Sequence, residues 1–191
     1  MRPVFFCRPA PGPPRNHEDW RWWLNVWTPA AIAVAIICVE STETFSSQHT
    51  SSWLRPIFQH LFGAISDSTW DFFHHLLRKS GHFVGYGTVA FTFLRAWLHT
   101  LARSGSPPAS LVGWRRGPTA LLSWRVESSI LAILSTAIVA SCDEFHQTFL
   151  PGRTGSPVDV LLDTAGACTL CLLVWLVCWS GRAQHAPAAD S

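Results

Sequence analysis

Four long apolar runs, separated by short blocks of charge, constrain this chain more than any other feature. Residues 22–39 lie between Arg21 and Glu40, and residues 82–102 between Lys79 and Arg103. Residues 128–142 lie between Glu127 and Asp143, and residues 164–181 between Asp163 and Arg182. An apolar helix needs roughly 20 residues to cross the hydrocarbon of a bilayer, and about 17 at the least. The second run is broken only by Arg95. The third reaches spanning length by borrowing neighbours such as Trp124 and Phe145, with Arg125 and Glu127 near the headgroups. The runs therefore predict an all-α membrane protein, a bundle of four transmembrane helices. A soluble domain has room to bury one such run and no need of the other three.

Composition agrees with this reading. Only 14% of the residues are charged, against the usual quarter or so. Trp22, Trp23, Trp27, Trp97, Trp124, Trp175 and Trp179 fall near the ends of runs, where indole keeps its ring in lipid and its N–H wet. The net charge of +2, with no basic stripe interleaved with aromatics, gives no reason to expect nucleic-acid binding. Cys38, Cys142, Cys168, Cys171 and Cys178 lie inside apolar runs. The pair Cys168-x-x-Cys171 lacks partner histidines and reads as small packing residues rather than a metal or redox site. A Cys38–Cys142 disulfide near one face has no support in the sequence. No cofactor is expected.

Along the chain, residues 1–19 read as a disordered proline-rich tail, 20–180 as one transmembrane domain and 181–191 as a polar tail. The first run is long enough to span and follows a proline-containing segment, so it reads as a retained helix rather than a cleaved leader. Pro29 sits inside it, near its entry end. Two amphipathic pieces, 53–62 and 67–77, predict surface helices between the first and second spans, the second capped by Asp67. Residues 103–118, rich in glycine, proline and arginine, predict a loop, and Pro157 opens the fourth helix. Lysine and arginine counts set the orientation. Arg2, Arg8, Arg15, Arg21, Arg103, Arg115, Arg116, Arg125 and Arg182 share one side of a four-span chain, against Arg55, Arg78, Lys79 and Arg153 on the other. Both termini are therefore expected in the cytoplasm.

With that topology three polar clusters converge on the outer face. Lys79, His82 and Tyr86, spaced three and four apart, share one face of the second helix. Asp143, Glu144 and Gln147 leave the third helix. Arg153 follows in a turn, and Asp159 and Asp163 sit four apart at the start of the fourth helix. Ionisable groups in a bilayer cost about 2.5–3.5 kcal/mol each at its centre and less near the interface, so groups from three helices are expected to pair. Two outcomes follow. The cations neutralise the carboxylates and clip the bundle, or the set forms a polar pocket open to the outer leaflet.

The same residues carry a resemblance. Arg78-Lys79-x-x-His82-Phe83-x-x-Tyr86, then Asp143-Glu144-x-x-Gln147, then Pro151-Gly152-Arg153 with Asp159-Val160-Leu161 and Gly166, resemble the motifs of the VanZ-like family, in order. Phe45-Ser46-Ser47-Gln48 resembles that family's S-S-Q. The resemblance covers about residues 22–178. It departs at Asp163, where the family usually has asparagine. The added charge beside Asp159 requires that one of the pair be protonated or that Arg153 lie close. The resemblance implies a multi-pass protein of the bacterial cytoplasmic (inner) membrane, part of the cell envelope, and its namesake is associated with resistance to the glycopeptide antibiotic teicoplanin.

Three functional readings follow. In the first, Arg153 and Lys79 receive the phosphate or carboxylate of an envelope lipid or glycopeptide-related ligand, among other membrane lipids. In the second, the protein is a membrane enzyme acting on a lipid phosphate or a lipid-linked precursor. Lys79-Ser80-Gly81-His82, Gly152-Arg153 and Asp159 faintly resemble integral-membrane lipid phosphatases, but no histidine lies between Arg153 and Asp159. His82 or His146 would then be the acid–base group, oriented by Asp143 or Glu144. In the third, Asp143, Glu144, His146 and His82 hold a metal, although their spacing matches no defined site. The sequence leaves open whether chemistry occurs and how many copies assemble.

Overall fold

A computed structural model describes residues 20–42, 46–103, 126–151, 153 and 155–183. The proline-rich segment 1–19, most of the expected loop 103–118 and residues 184–191 lie outside the described residues. Five helices follow one another: α1 (Trp20–Glu40), α2 (Ser47–Phe62), α3 (Asp67–Arg103), α4 (Val126–Gln147) and α5 (Pro157–Ala183). Helix α5 carries the chain to Ala183, so the first residues expected in the polar tail are helical. Among the described residues three stretches are long and apolar enough to cross a membrane: α1, α4 and Pro157–Val177 of α5. Their lipid-facing character shows in exposed Ile32, Ile36, Ile130, Leu134, Ile138, Leu172 and Val177.

Helix α3 differs from the other three in kind. It packs against α1, α4 and α5, and buries Tyr86, Val89, Ala90, Leu94, Ala96 and Leu98. A helix enclosed by three others presents little surface to lipid, so its sequence tolerates more polar residues. Its core contacts include Ala132 and Cys171 around Leu94 and Leu98, and Ile37 and Ala140 around Tyr86 and Val89. Cys171 is thus a packing residue. Cys38 and Cys142 are both free thiols.

Arg95, the charge that interrupts the second run, has a local cause. Pro29 lies inside α1 and has no N–H to give the carbonyl four residues before it, that of Asn25. Arg95 Nη1 donates to Asn25 O at 3.3 Å and to Val26 O at 3.1 Å. The arginine is held against the backbone of α1 by a proline on another helix. Next to it, Trp27 and Trp97 meet edge to face at 5.1 Å, and Trp97 Nε1 donates to Ser135 Oγ. The aromatic end of the bundle is built from these contacts.

The expected pair of surface helices is corrected in one respect. Residues 47–62 form a separate helix, α2, but 67–77 continue without a break into the second run, making α3 37 residues long. No proline lies between Leu77 and His82: Arg78, Lys79 and Ser80 accept helical geometry, and Gly81 costs the helix only about 1 kcal/mol against alanine. At 1.5 Å per residue α3 is about 55 Å long, against about 30 Å of hydrocarbon. Its first turns therefore project past the spans. Its cap is also corrected: Ser66 Oγ accepts from Thr69 N at 3.2 Å, while Asp67 is the first helical residue and pairs with Arg55 of α2. Large side chains fasten α2 to α3. Phe58 lies edge-on to Trp70 at 5.8 Å, Trp70 Nε1 donates to Ser51 Oγ at 2.7 Å, and Thr50 Oγ1 meets His74 Nε2 at 3.1 Å.

Candidate polar site at one end of the bundle

The nine candidate residues come from α3, α4, α5 and the α4–α5 turn, and the helices bring their ends together. The closest approach is between α3 and α5. A Cβ on Gly166 would collide with the carbonyl oxygen of Phe83, and one on Gly87 would stand 3.4 Å from the carbonyl oxygen of Gly166. Small residues let two backbones approach to this distance. The turn before α5 is equally tight, since a Cβ on Gly155 would collide with the carbonyl oxygen of Glu144.

Three successive turns of α3 then meet partners. Lys79 forms an ion pair with Asp159 of α5, with both side chains partly exposed. His82 Nδ1 stands 3.5 Å from Oδ1 of Asp163, and the two rings of His82 and Tyr86 stack at 6.2 Å. The Tyr86 hydroxyl donates to Asp143 Oδ2 of α4 at 2.8 Å. The shared face expected for Lys79, His82 and Tyr86 is therefore the face they use.

Asp143 is the most fully satisfied of the carboxylates. It accepts from Tyr86, from Gln147 Nε2 at 3.0 Å and from the hydroxyl of Ser41, at the end of α1. It clips three helices and is buried. Glu144, also buried, accepts the backbone N–H of Ser156 at 2.7 Å, which fixes the start of α5. His146 is exposed and makes no side-chain hydrogen bond or ion pair with the cluster among the described residues, so the acid–base and metal readings that used it lose that residue.

The two cations part company. Lys79 is committed to Asp159. Arg153 makes no ion pair among the described residues; its Nη2 donates to the carbonyl oxygens of Glu40 and Thr42, both at 2.9 Å. It caps the C-terminal end of α1, whose last carbonyls have no intrahelical donors. Burial pulls the Arg153 pKa below its ordinary value, and the like charge of Arg78 pulls it the same way, while Asp143 and Glu144 act against both. The guanidinium stays charged. Arg78 is half-buried and close enough to be felt, and it has no hydrogen-bond or ion-pair partner among the described residues. The neighbour of Asp163 is His82 rather than Arg153. Asp163 is fully buried, and neither of its carboxylate oxygens has a hydrogen-bond donor among the described residues.

The family model of VanZ/LLP1 matches residues 26–178, which include every residue of this site. The chain belongs to the VanZ/LLP1 family. It is a multi-pass membrane protein of that family, and the ordered motifs behind the expected resemblance are the helix ends that converge here. Searches of curated proteins and of solved structures return no match. In this VanZ/LLP1 protein, sequence reasoning missed Ser41 and Ser156, whose roles depend on distant partners. It also passed over Arg78, which stands in the first motif and is spaced four residues from His82 on the same helix face.

Proposed function

We propose that this protein is a four-span protein of the bacterial cytoplasmic membrane, with both termini in the cytoplasm, whose polar end receives the anionic headgroup of an envelope lipid at the outer face. The arginine-rich side expected from the sequence supports the orientation. The enclosure of α3 by α1, α4 and α5 supports counting it as the fourth span.

One observation carries the headgroup reading. Arg78 and Arg153 lie close enough for their like charges to act on one another, and neither is in ion-pair contact with a carboxylate among the described residues. Like charges on two half-buried guanidiniums are offset by a shared anion, and a phosphate or carboxylate could accept from Arg78 and from the Arg153 nitrogens that the α1 carbonyls leave unused. Lys79, expected from the sequence to share this role with Arg153, is already paired with Asp159. Altered display of such a lipid is the link to teicoplanin tolerance that the family resemblance implies.

Arg78→Gln is the clean test, because Arg78 holds no other described group in place. Purified protein in nanodiscs containing phosphatidylglycerol is expected to retain that lipid in native mass spectrometry, and the variant to retain several-fold less, with equal membrane insertion. Equal lipid retention by both sinks the reading. The enzyme reading has one observation in its favour, the closeness of His82 to both Asp163 and Glu144, as a proton-transfer group requires. Release of phosphate from an envelope lipid phosphate by the pure protein, lost in His82→Gln, is its test.

A further inference from the structure

The geometry points to a binding site for one divalent transition cation of the zinc type, formed by His82, Glu144 and Asp163. One ligand atom from each lies within 4.8 Å of the others. The three residues come from α3, α4 and α5, so an ion here would tie three helices together.

Two features of Asp163 favour a further partner beyond the nearby His82. It is fully buried, and both its oxygens and the facing His82 Nδ1 have no hydrogen-bond partner among the described residues. A buried carboxylate left in this state costs several kcal/mol or more in principle. The separation of Nδ1 and Oδ1, 3.5 Å, exceeds the usual 2.7–3.2 Å or so of an N–H···O bond. It fits a shared ion: two atoms each about 2.1 Å from zinc, at tetrahedral angles, stand about 3.4 Å apart.

The rest of the set agrees. Glu144 accepts the Ser156 N–H through Oε2, an outer hydrogen bond of the kind that orients a ligating carboxylate, and Oε1 remains for the ion. Two carboxylates and one neutral imidazole carry the charge that a divalent cation cancels, which suits a site within the bundle. Mixed imidazole and carboxylate ligands favour first-row divalent ions, and in the usual order of affinity zinc binds such a set more tightly than manganese or iron. His82 keeps about a quarter of its side chain exposed, which provides an entry path and an open coordination position. Asp163 supplies the second carboxylate of the set. The site stands independently of the headgroup reading, which rests on Arg78 and Arg153.

The test uses the intact protein in detergent, stripped with a chelator and titrated with zinc chloride, with bound metal counted by mass spectrometry. One zinc per chain is expected. Asp163→Asn, which preserves shape, is expected to weaken binding at least tenfold, since loss of a mere outer-sphere partner already costs about 10–100-fold. His82→Gln is the second arm, and cobalt substitution gives a visible spectrum that both variants should lose. Far-ultraviolet circular dichroism establishes that each variant is folded. Failure of the wild type to bind zinc, or equal binding by folded Asp163→Asn and His82→Gln, overturns the proposal.

Discussion

The Tyr86 hydroxyl reaches across from α3 to Asp143 of α4 at 2.8 Å, and Ser41, just past the end of α1, donates to the other oxygen of the same carboxylate. One side chain thereby joins three helices that the sequence separates by about a hundred residues. Tyr86→Phe keeps the ring and removes the donor. Asp143 retains Ser41 and Gln147, so the loss should be about 0.6–2 kcal/mol, read as a lower unfolding temperature in detergent. Asp143→Ala strands three donors and should cost more than Tyr86→Phe. A smaller effect for Asp143→Ala would contradict the clip.

The contact between Gly166 and the Phe83 carbonyl leaves no space for a methyl group. Gly166→Ala should push α3 and α5 apart and destabilise the bundle by about 1–3 kcal/mol, as overpacking does. Gly81, with nothing near its position, is the control. Gly81→Ala should be neutral or slightly stabilising in the same thermal scan, because alanine favours the helix.

Arg95 and Pro29 should be coupled although one is on α3 and the other on α1. Arg95→Leu removes the donor that serves the Asn25 carbonyl, and destabilisation should follow. In a Pro29→Ala background the helix supplies its own N–H to that carbonyl, so the same substitution should cost less. Stability measured across the four proteins of this double-mutant cycle gives the coupling; a coupling of zero would show that the two residues act separately.

His74 makes the attachment of α2 sensitive to acid. It is buried, stacks on Trp70 at 5.2 Å and bonds with Thr50. Burial first, then the charges of Arg78 and His75, lower its pKa from the ordinary 6.5, with Asp71 opposing. The detached state binds the proton more readily than the docked one. The contribution of His74 to docking is therefore full above pH 6.5 and declines as pH falls below it towards the lowered value. Hydrogen exchange in α2 should accelerate in that window in the wild type and change less in His74→Phe.

Much of this was legible in the chain itself. Continuous apolar stretches are local, and the cost of exposing a backbone or a charge to lipid acts on each segment separately, so α1, α4 and α5 follow from their own residues. The spacing of Lys79, His82 and Tyr86 likewise follows from 3.6 residues per turn. The length of α3 was less legible, because the amphipathic stretch before it and the apolar stretch within it carry different periodic signals although no residue breaks the helix between them.

Pairing was decided by the tertiary structure. Asp143, Glu144, Asp159 and Asp163 are the same kind of group in the sequence, yet the first is fully hydrogen-bonded, the second holds a backbone N–H, the third takes Lys79 and the fourth faces His82. Their roles depend on how closely α3 and α5 approach at Gly166 and on where the turn at Gly155 folds. The spanning helices α1, α4 and α5 were determined by hydrophobic segments acting one at a time. Which carboxylate meets which cation was decided only by contacts across the bundle, where angstroms of backbone separation select the partner.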